Sequence, residues 1–217
     1  MNRQQRLVAM AELRHRHPAL TGLIERHGPP PLRSRVPSAR RFDALARSIL
    51  YQQLAGKAAS AIHGRFVAAL GGTVTAATVL AAPPDLLLSC GLSRAKAAAI
   101  VDLAEKVSTG RVALDRIGRL SDEMVIEQLV RVRGIGRWTA EMFLLGTLGR
   151  LDVWPTGDYG VRVGFAFGWQ LPDIPSPKEL EVLGEPYRPY RSLVAWYCWR
   201  AADDRALATP APLAVPD

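Results

Sequence analysis

The sequence is short of cysteine, of lysine and of long apolar runs, and each shortage excludes something. Two cysteines in 217 residues, Cys90 and Cys198, lie far apart without metal-ligand spacing. They cannot form a disulfide framework or a cysteine-rich metal centre, and they read as buried free thiols. No apolar run approaches the twenty or so residues that span a bilayer. The opening Met1–Arg6 lacks the apolar core of a signal peptide. A soluble, cytoplasmic protein is expected. No internal repeat and no alternating β pattern can be found.

What is present is basic and periodic. The net charge is +8 and the pI about 10.1. That balance favours a polyanionic partner, although arginine supplies most of it and genome composition enriches arginine too. Nearly half the residues are apolar, enough to bury a core in one large domain or two small packed ones.

The chain reads as a succession of helices. Two short basic helices part near Pro18, and Pro29-Pro30-Pro31 opens a stiff loop through Pro37. Phe42, Leu45 and Ile49 form an apolar helical stripe, continuing to about Leu54. After Gly56, Ala58, Ile62, Phe66 and Leu70 carry the next. Thr73 and Pro83 look like starts of short helices. Ser93 should cap a long helix, Arg94 to Val107, and Ser121 another whose Asp122 and Glu123 suit its positive end. Ser176-Pro177-Lys178-Glu179 fits a capping box with proline at the first helical position. A last long helix is expected from about Pro189 to Ala202.

The most informative stretch runs from Ser121 to Gly168. Val125, Leu129 and Val132 share a helix face, Gly134 and Gly136 break it, and Thr139, Phe143 and Leu144 begin another. Such a glycine hairpin leaves the first N–H groups of the second helix facing outward, where a phosphate suits them. A helix–helix turn without a ligand has the same local pattern. Downstream, Trp154-Pro155-Thr156-Gly157-Asp158-Tyr159 leads into an apolar run. Asp158 therefore sits at a helix start, as a simple N-cap would.

Leu129 to Ala140 (LVRVRGIGRWTA), followed by Gly157-Asp158-Tyr159, resembles the helix-hairpin-helix and Gly/Pro-loop–aspartate of the DNA glycosylase superfamily. Phe42 to Ala59 and Tyr187 to Arg200 extend the likeness to the 3-methyladenine DNA glycosylase II family, over roughly Arg40 to Ala202. The resemblance implies an all-α fold of two helical lobes around a cleft, without the N-terminal β-domain of longer relatives. The expected lobes are 1–41 with 168–205, and 42–167; residues 206–217 are expected to be a disordered tail.

The resemblance also implies roles. Asp158 matches the catalytic carboxylate; Asp152 and Asp173 lack that motif context. Breaking the base–sugar bond builds positive charge on the sugar, which a carboxylate stabilises while orienting the attacking water. Trp138, Tyr159 and Trp199 match base-pocket aromatics, whose faces attract a cationic methylated base, although core packing would also explain each. Met142 stands where relatives can carry an aromatic. Relatives that also cut the strand carry a lysine at the position of Trp138. None of the four lysines (Lys57, Lys96, Lys106, Lys178) lies in the motif, so a monofunctional enzyme that leaves an abasic site is implied.

Gln53 and Leu54 match the intercalating wedge that holds the gap when a base is flipped from the duplex. Gln52 and Gln53 could equally satisfy backbone groups at a helix end. Gly134, Gly136 and Thr139 are expected to grip DNA phosphates. A monovalent cation can sit at hairpin carbonyls matching Val130, Val132 and Gly134, and no other cofactor is required. Arg191 is either a structural ion pair or a DNA contact. The expected enzyme is a monomer acting on damaged double-stranded DNA. Two alternatives stay open: a non-catalytic helix-hairpin-helix DNA-binding module, and a glycosylase for mismatched or oxidised bases.

Overall fold

A computed structural model describes residues 3–31 and 35–208. Among them no strand occurs, and the architecture is all-helical as expected. No helix among these residues is long and apolar enough to cross a membrane. The helices are α1 (Arg3–Arg16), α2 (Thr21–His27), α3 (Arg41–Tyr51), α4 (Gly56–Ala69), α5 (Ala76–Leu80) and α6 (Leu86–Ser89). They continue with α7 (Arg94–Ser108), α8 (Asp122–Leu129), α9 (Arg137–Gly146), α10 (Tyr159–Gly168), α11 (Pro177–Gly184) and α12 (Arg191–Ala208).

Local signals account for most boundaries. Ser93 Oγ accepts from Lys96 N–H at 3.3 Å and starts α7. Ser121 accepts from Met124 N–H and starts α8. Ser176 and Glu179 close the reciprocal capping box of α11, at 3.3 and 2.7 Å, with Pro177 in the first helical position. The short helices differ from expectation. Thr75, not Thr73, caps α5, because Thr78 three residues on returns the bond. No helix begins at Pro83; α6 begins at Leu86, after Asp85. In α4 it is Ala59 that is buried, while Ala58 is exposed.

The chain forms two compact units, Met1–Ser34 with Gly149–Asp217, and Arg35–Leu148. Both boundaries depart from the expected lobes. Residues 35–41 belong with the second unit, tied there by Val36 N–H to the Thr147 carbonyl at 2.9 Å and Arg41 to the Leu114 carbonyl at 2.7 Å. The segment from Gly149 to Gly168 belongs with the first, because α10 packs along α12.

The first unit is built around α12, which is buried on several faces: Leu193, Val194, Ala195, Tyr197, Cys198 and Ala201 are all 0% exposed. A helix apolar on most of its circumference needs partners all round it. Here α10, α2 and the aromatic group of Phe165, Trp169 and Tyr187 supply them. Phe165 stacks on Trp169 at 4.3 Å between centroids, and the Trp169 indole donates to the Tyr187 hydroxyl at 2.6 Å. The helix also runs on through Ala206 to Ala208, where a disordered tail was expected. Residues 209–217 lie outside the described residues.

The second unit centres on α7, whose Ala99, Ile100, Leu103 and Ala104 are buried against α3, α5 and α6. The stripe of α3 is buried as its spacing required, with Leu45, Ile49 and Leu50 at 1% exposure or less. Val125, Leu129 and Val132 on one side of the hairpin, and Thr139, Phe143 and Leu144 on the other, all face the core.

Candidate functional site

In the first unit, the Trp154–Gly157 loop delivers Asp158 to the start of α10. Thr156 N–H bonds to the Trp154 carbonyl and Asp158 N–H to the Pro155 carbonyl, each at 2.9 Å. Trp154 is itself buried, its indole donating to the Leu180 carbonyl at 2.8 Å. Asp158 is thus the N-cap that local pattern suggested: its Oδ1 accepts from Val161 N–H at 2.9 Å. The same oxygen also accepts from the Trp199 indole N–H, at 3.1 Å. A plain cap needs only the first bond; the second comes from α12 and fixes the plane of a half-buried carboxylate.

The crossing of α10 and α12 sets this contact. Gly160, Gly164 and Gly168 lie one turn apart and face α12. A Cβ on Gly160 would stand 3.2 Å from both Asp158 Oδ1 and Trp199 Cδ1. A Cβ on Gly164 would collide with the Cys198 carbonyl. Burial pushes the Cys198 thiol well above its ordinary range, helped by the negative charge of Asp158, so it stays protonated and inert. Tyr159 is 65% exposed beside the carboxylate, with the Arg162 guanidinium 5.9 Å from its ring.

Arg191 is buried, and this decides between its two readings. Its guanidinium donates to Asp152 Oδ1 at 2.8 Å, Asp152 Oδ2 at 3.1 Å and the Asp152 carbonyl at 3.0 Å. It also reaches Glu185 at 3.3 Å, while Arg188 joins the same Asp152 at 2.6 Å. Arg191 therefore braces the chain leading to Asp158 and is not offered to DNA. Asp152, an alternative carboxylate by sequence, is consumed in that network.

In the second unit, Val130–Gly136 forms the hairpin between α8 and α9. Gly134 has φ +75, a left-handed conformation that costs a side-chain-bearing residue roughly 1–2 kcal/mol. A Cβ there would also press on Ala99 of α7, at 3.3 Å. Gly136 is the N-cap of α9 and has no side chain with which to cap it. Trp138 is 48% exposed in the first turn of α9, and Met142 is half-buried one turn further along. Arg137 beside them is held by Glu123, at 2.8 and 3.2 Å, and by Glu141, at 3.1 Å. Hydrogen bonding from Arg137 lowers the Glu123 pKa. The positive charge of Arg137 is therefore largely answered within the protein.

Thr139 is 5% exposed, and its Oγ1 accepts from Gln52 Nε2 at 3.2 Å, which ties it into an internal joint. Gln52 donates also to the Gly134 carbonyl at 3.1 Å. It does satisfy backbone, as a glutamine at a helix end can, but the backbone is that of the hairpin. Gln53 and Leu54 follow at the exposed turn between α3 and α4, Leu54 being 38% exposed. Gln53 has φ +54, strain of order 1–3 kcal/mol that functional turns often carry.

Two residues of α7 were invisible to motif reading. Lys96 Nζ donates to the carbonyls of Leu50 and Gln52, at 2.8 and 2.6 Å, closing the C-terminal end of α3. Asp102 accepts Arg133 N–H at 2.7 Å and pairs with Lys106. The only sequence signal is their position on an amphipathic helix, far along the chain from both Gln53–Leu54 and the hairpin. Among the described residues, no group of three or more histidine, cysteine or acidic side chains is placed to hold a metal.

Residues 46–189 match the family described as HhH-GPD superfamily base excision DNA repair protein. DNA-3-methyladenine glycosylase 1 of Schizosaccharomyces pombe is 34% identical over 164 residues, covering 74% of this chain and 72% of its own. The structure of the S. pombe glycosylase Mag1 in complex with abasic DNA is similar at a TM-score of 0.72 and 32% identity, covering 84% of this chain and 90% of that one. A DNA-3-methyladenine glycosidase from Bacillus halodurans gives a TM-score of 0.79 at 31% identity, over 92% of this chain and 91% of its own.

Proposed function

The chain belongs to the HhH-GPD superfamily of base excision DNA repair proteins, and from that premise we propose that it is a monofunctional DNA glycosylase. It excises N-methylated, cationic bases such as 3-methyladenine and leaves an abasic site. The reaction is hydrolysis of an N-glycosidic bond. One observation carries the assignment of chemistry: the Asp158 carboxylate is held at a helix N-terminus by two donors on a single oxygen.

In this reading Asp158 stabilises the oxocarbenium-like sugar as the base departs and orients or deprotonates the attacking water. Two fixed donors on Oδ1 remove the need to reorganise the carboxylate during the reaction, which supports that role. A base methylated at a ring nitrogen is already cationic, so it leaves without strong acid assistance. Trp138, Tyr159 and Trp199 supply aromatic faces worth about 0.5–2 kcal/mol each toward such a cation. Trp199 combines this with its bond to Asp158, and Met142 contributes a soft apolar wall. A tryptophan at position 138, where strand-cutting relatives have a lysine, leaves no Schiff-base nucleophile in the hairpin.

Gly134 and Gly136 bring backbone N–H groups to the DNA phosphates without reading sequence. The carbonyls of Val130, Val132 and Gly134 would hold a monovalent cation, whose positive charge would offset that of a phosphate at the hairpin. The Gly134 carbonyl accepts from Gln52, and a carbonyl oxygen has a second lone pair for such an ion. Gln53 and Leu54 fill the gap left by the flipped base. The enzyme works as a cytoplasmic monomer on double-stranded DNA.

The test compares wild type with Asp158→Asn in base release from alkylated duplex and in equilibrium binding. Release is expected to fall at least 100-fold, as when an electrostatic transition-state contact is lost, while binding persists. If neither protein releases a base from a broad lesion panel and both bind duplex, the chain is a DNA-binding module and Asp158 only a cap.

A further inference from the structure

Resting on the glycosylase reading, we propose that Lys96 and Gln52 are positioning residues that hold the Gln53–Leu54 wedge preformed and in register with the hairpin. The turn has a feature that needs holding. Gln53 occupies a left-handed backbone conformation without being glycine, and such a conformation persists only when its surroundings over-determine it.

The residue before it is pinned at both ends. The Gln52 carbonyl accepts from Lys96 Nζ at 2.6 Å, and its side-chain amide donates to the Gly134 carbonyl at 3.1 Å and Thr139 Oγ1 at 3.2 Å. Lys96 reaches a second carbonyl, that of Leu50, and so closes α3 just ahead of the wedge. Thr139 is buried in the first turn of α9, so the amide is tied both to the hairpin loop and to the helix that follows it.

Helix α7 turns these ties into a spacing. Lys96, Ala99 and Asp102 recur at intervals of three along it. Lys96 carries the wedge turn, Ala99 lies under Gly134, and Asp102 holds the Arg133 N–H. The wedge and the phosphate-gripping hairpin are thereby mounted on one rigid rod. Flipping requires both to act on neighbouring nucleotides at once, and a preformed wedge avoids the ordering cost of building it on DNA. An ordinary helix end would need neither the link to the hairpin nor a strained residue after it.

The experiment places 2-aminopurine beside an abasic-site analogue in a duplex and reads its fluorescence with each protein at saturating concentration. Lys96→Met keeps the length of the side chain and removes its donors; Gln52→Ala removes the amide without touching α7. Both variants are expected to lose at least half of the wild-type fluorescence rise, approaching Gln53→Ala. Their turnover on alkylated duplex should fall about tenfold, the scale of a small misplacement. Thermal melting in parallel identifies a misfolded variant, and Gln52→Ala then carries the test alone. A full rise with both variants, against a lost rise with Gln53→Ala, overturns the inference and leaves the glycosylase reading standing. A full rise with Gln53→Ala overturns the wedge and the inference together. Wild type that binds duplex but neither raises fluorescence nor releases base overturns the glycosylase reading itself.

Discussion

The two regions that carry the proposed function are held by different physics. Around Asp158 the holding is steric: α10 and α12 cross so closely that Gly164 has no room for a methyl group, and that closeness delivers the Trp199 indole to the carboxylate. Around the hairpin it is polar: Gln52, Lys96 and Asp102 reach over from neighbouring helices to bond backbone groups. The difference suits the role proposed for each region. A charge that acts on a transition state gains from a rigid, partly water-excluded setting. A surface that grips a polymer backbone must stay exposed, and there long polar side chains can fix a loop without burying it.

The comparison is easiest to break at Gly164. Gly164→Ala must push α10 away from the Cys198 carbonyl, and we expect a loss of about 3 kcal/mol or more, near the upper end for overpacking. A thermal or urea melt measures it, and base release should fall with it because the Trp199 bond depends on the same crossing. A stable, active Gly164→Ala would mean that steric closeness is not what holds the carboxylate.

Trp199→Phe sharpens the point by keeping a ring and removing the donor. A hydrogen bond to a charged group contributes about 1.5–3 kcal/mol. Most of this should appear as a roughly tenfold or greater fall in kcat on alkylated duplex, with a modest change in melting temperature. Unchanged kcat would mean that the Trp199 bond is not what supports Asp158.

The smallest effect is expected on the polar side. Burial raises the Asp102 pKa, but hydrogen bonds from Lys106 and the Arg133 N–H outweigh it, so the folded carboxyl titrates below its ordinary value. A depressed folded pKa means that the contribution is complete above the unfolded value, about 3.9. It is lost as pH falls through the lower folded value. Stability curves of wild type and Asp102→Asn should therefore lie apart by about 1 kcal/mol or less near neutrality and converge in acid. A gap that widens in acid would contradict the assigned sign.

Most of the fold was legible in the sequence. Ser93, Ser121 and Ser176 started the helices they were expected to start, and the stripe of α3 was buried as its spacing required. The short helices near Thr73 and Pro83 were placed less well, since a few residues carry too little periodicity to fix a start. Of the candidate site, the place of Asp158 at a helix mouth was legible in the sequence. Thr139 is buried with Phe143 and Leu144 as their shared helix face implied, and Arg191 proved to be a buried brace.

The sequence by itself determined what depends on neighbours within a turn or two. Those are the helical periods, the serine and aspartate caps, the glycine hairpin and the absence of a hairpin lysine. Caps and periods are short-range, so their partners lie a few residues away and can be read in order. Only the tertiary structure decided that Trp199 donates to Asp158, that Lys96 and Gln52 tie the α3–α4 turn to α7 and the hairpin, and that Gly149–Gly168 joins the terminal unit. Each of these joins residues far apart along the chain. Their meeting is set by how closely whole helices can pack, and no local pattern encodes that distance.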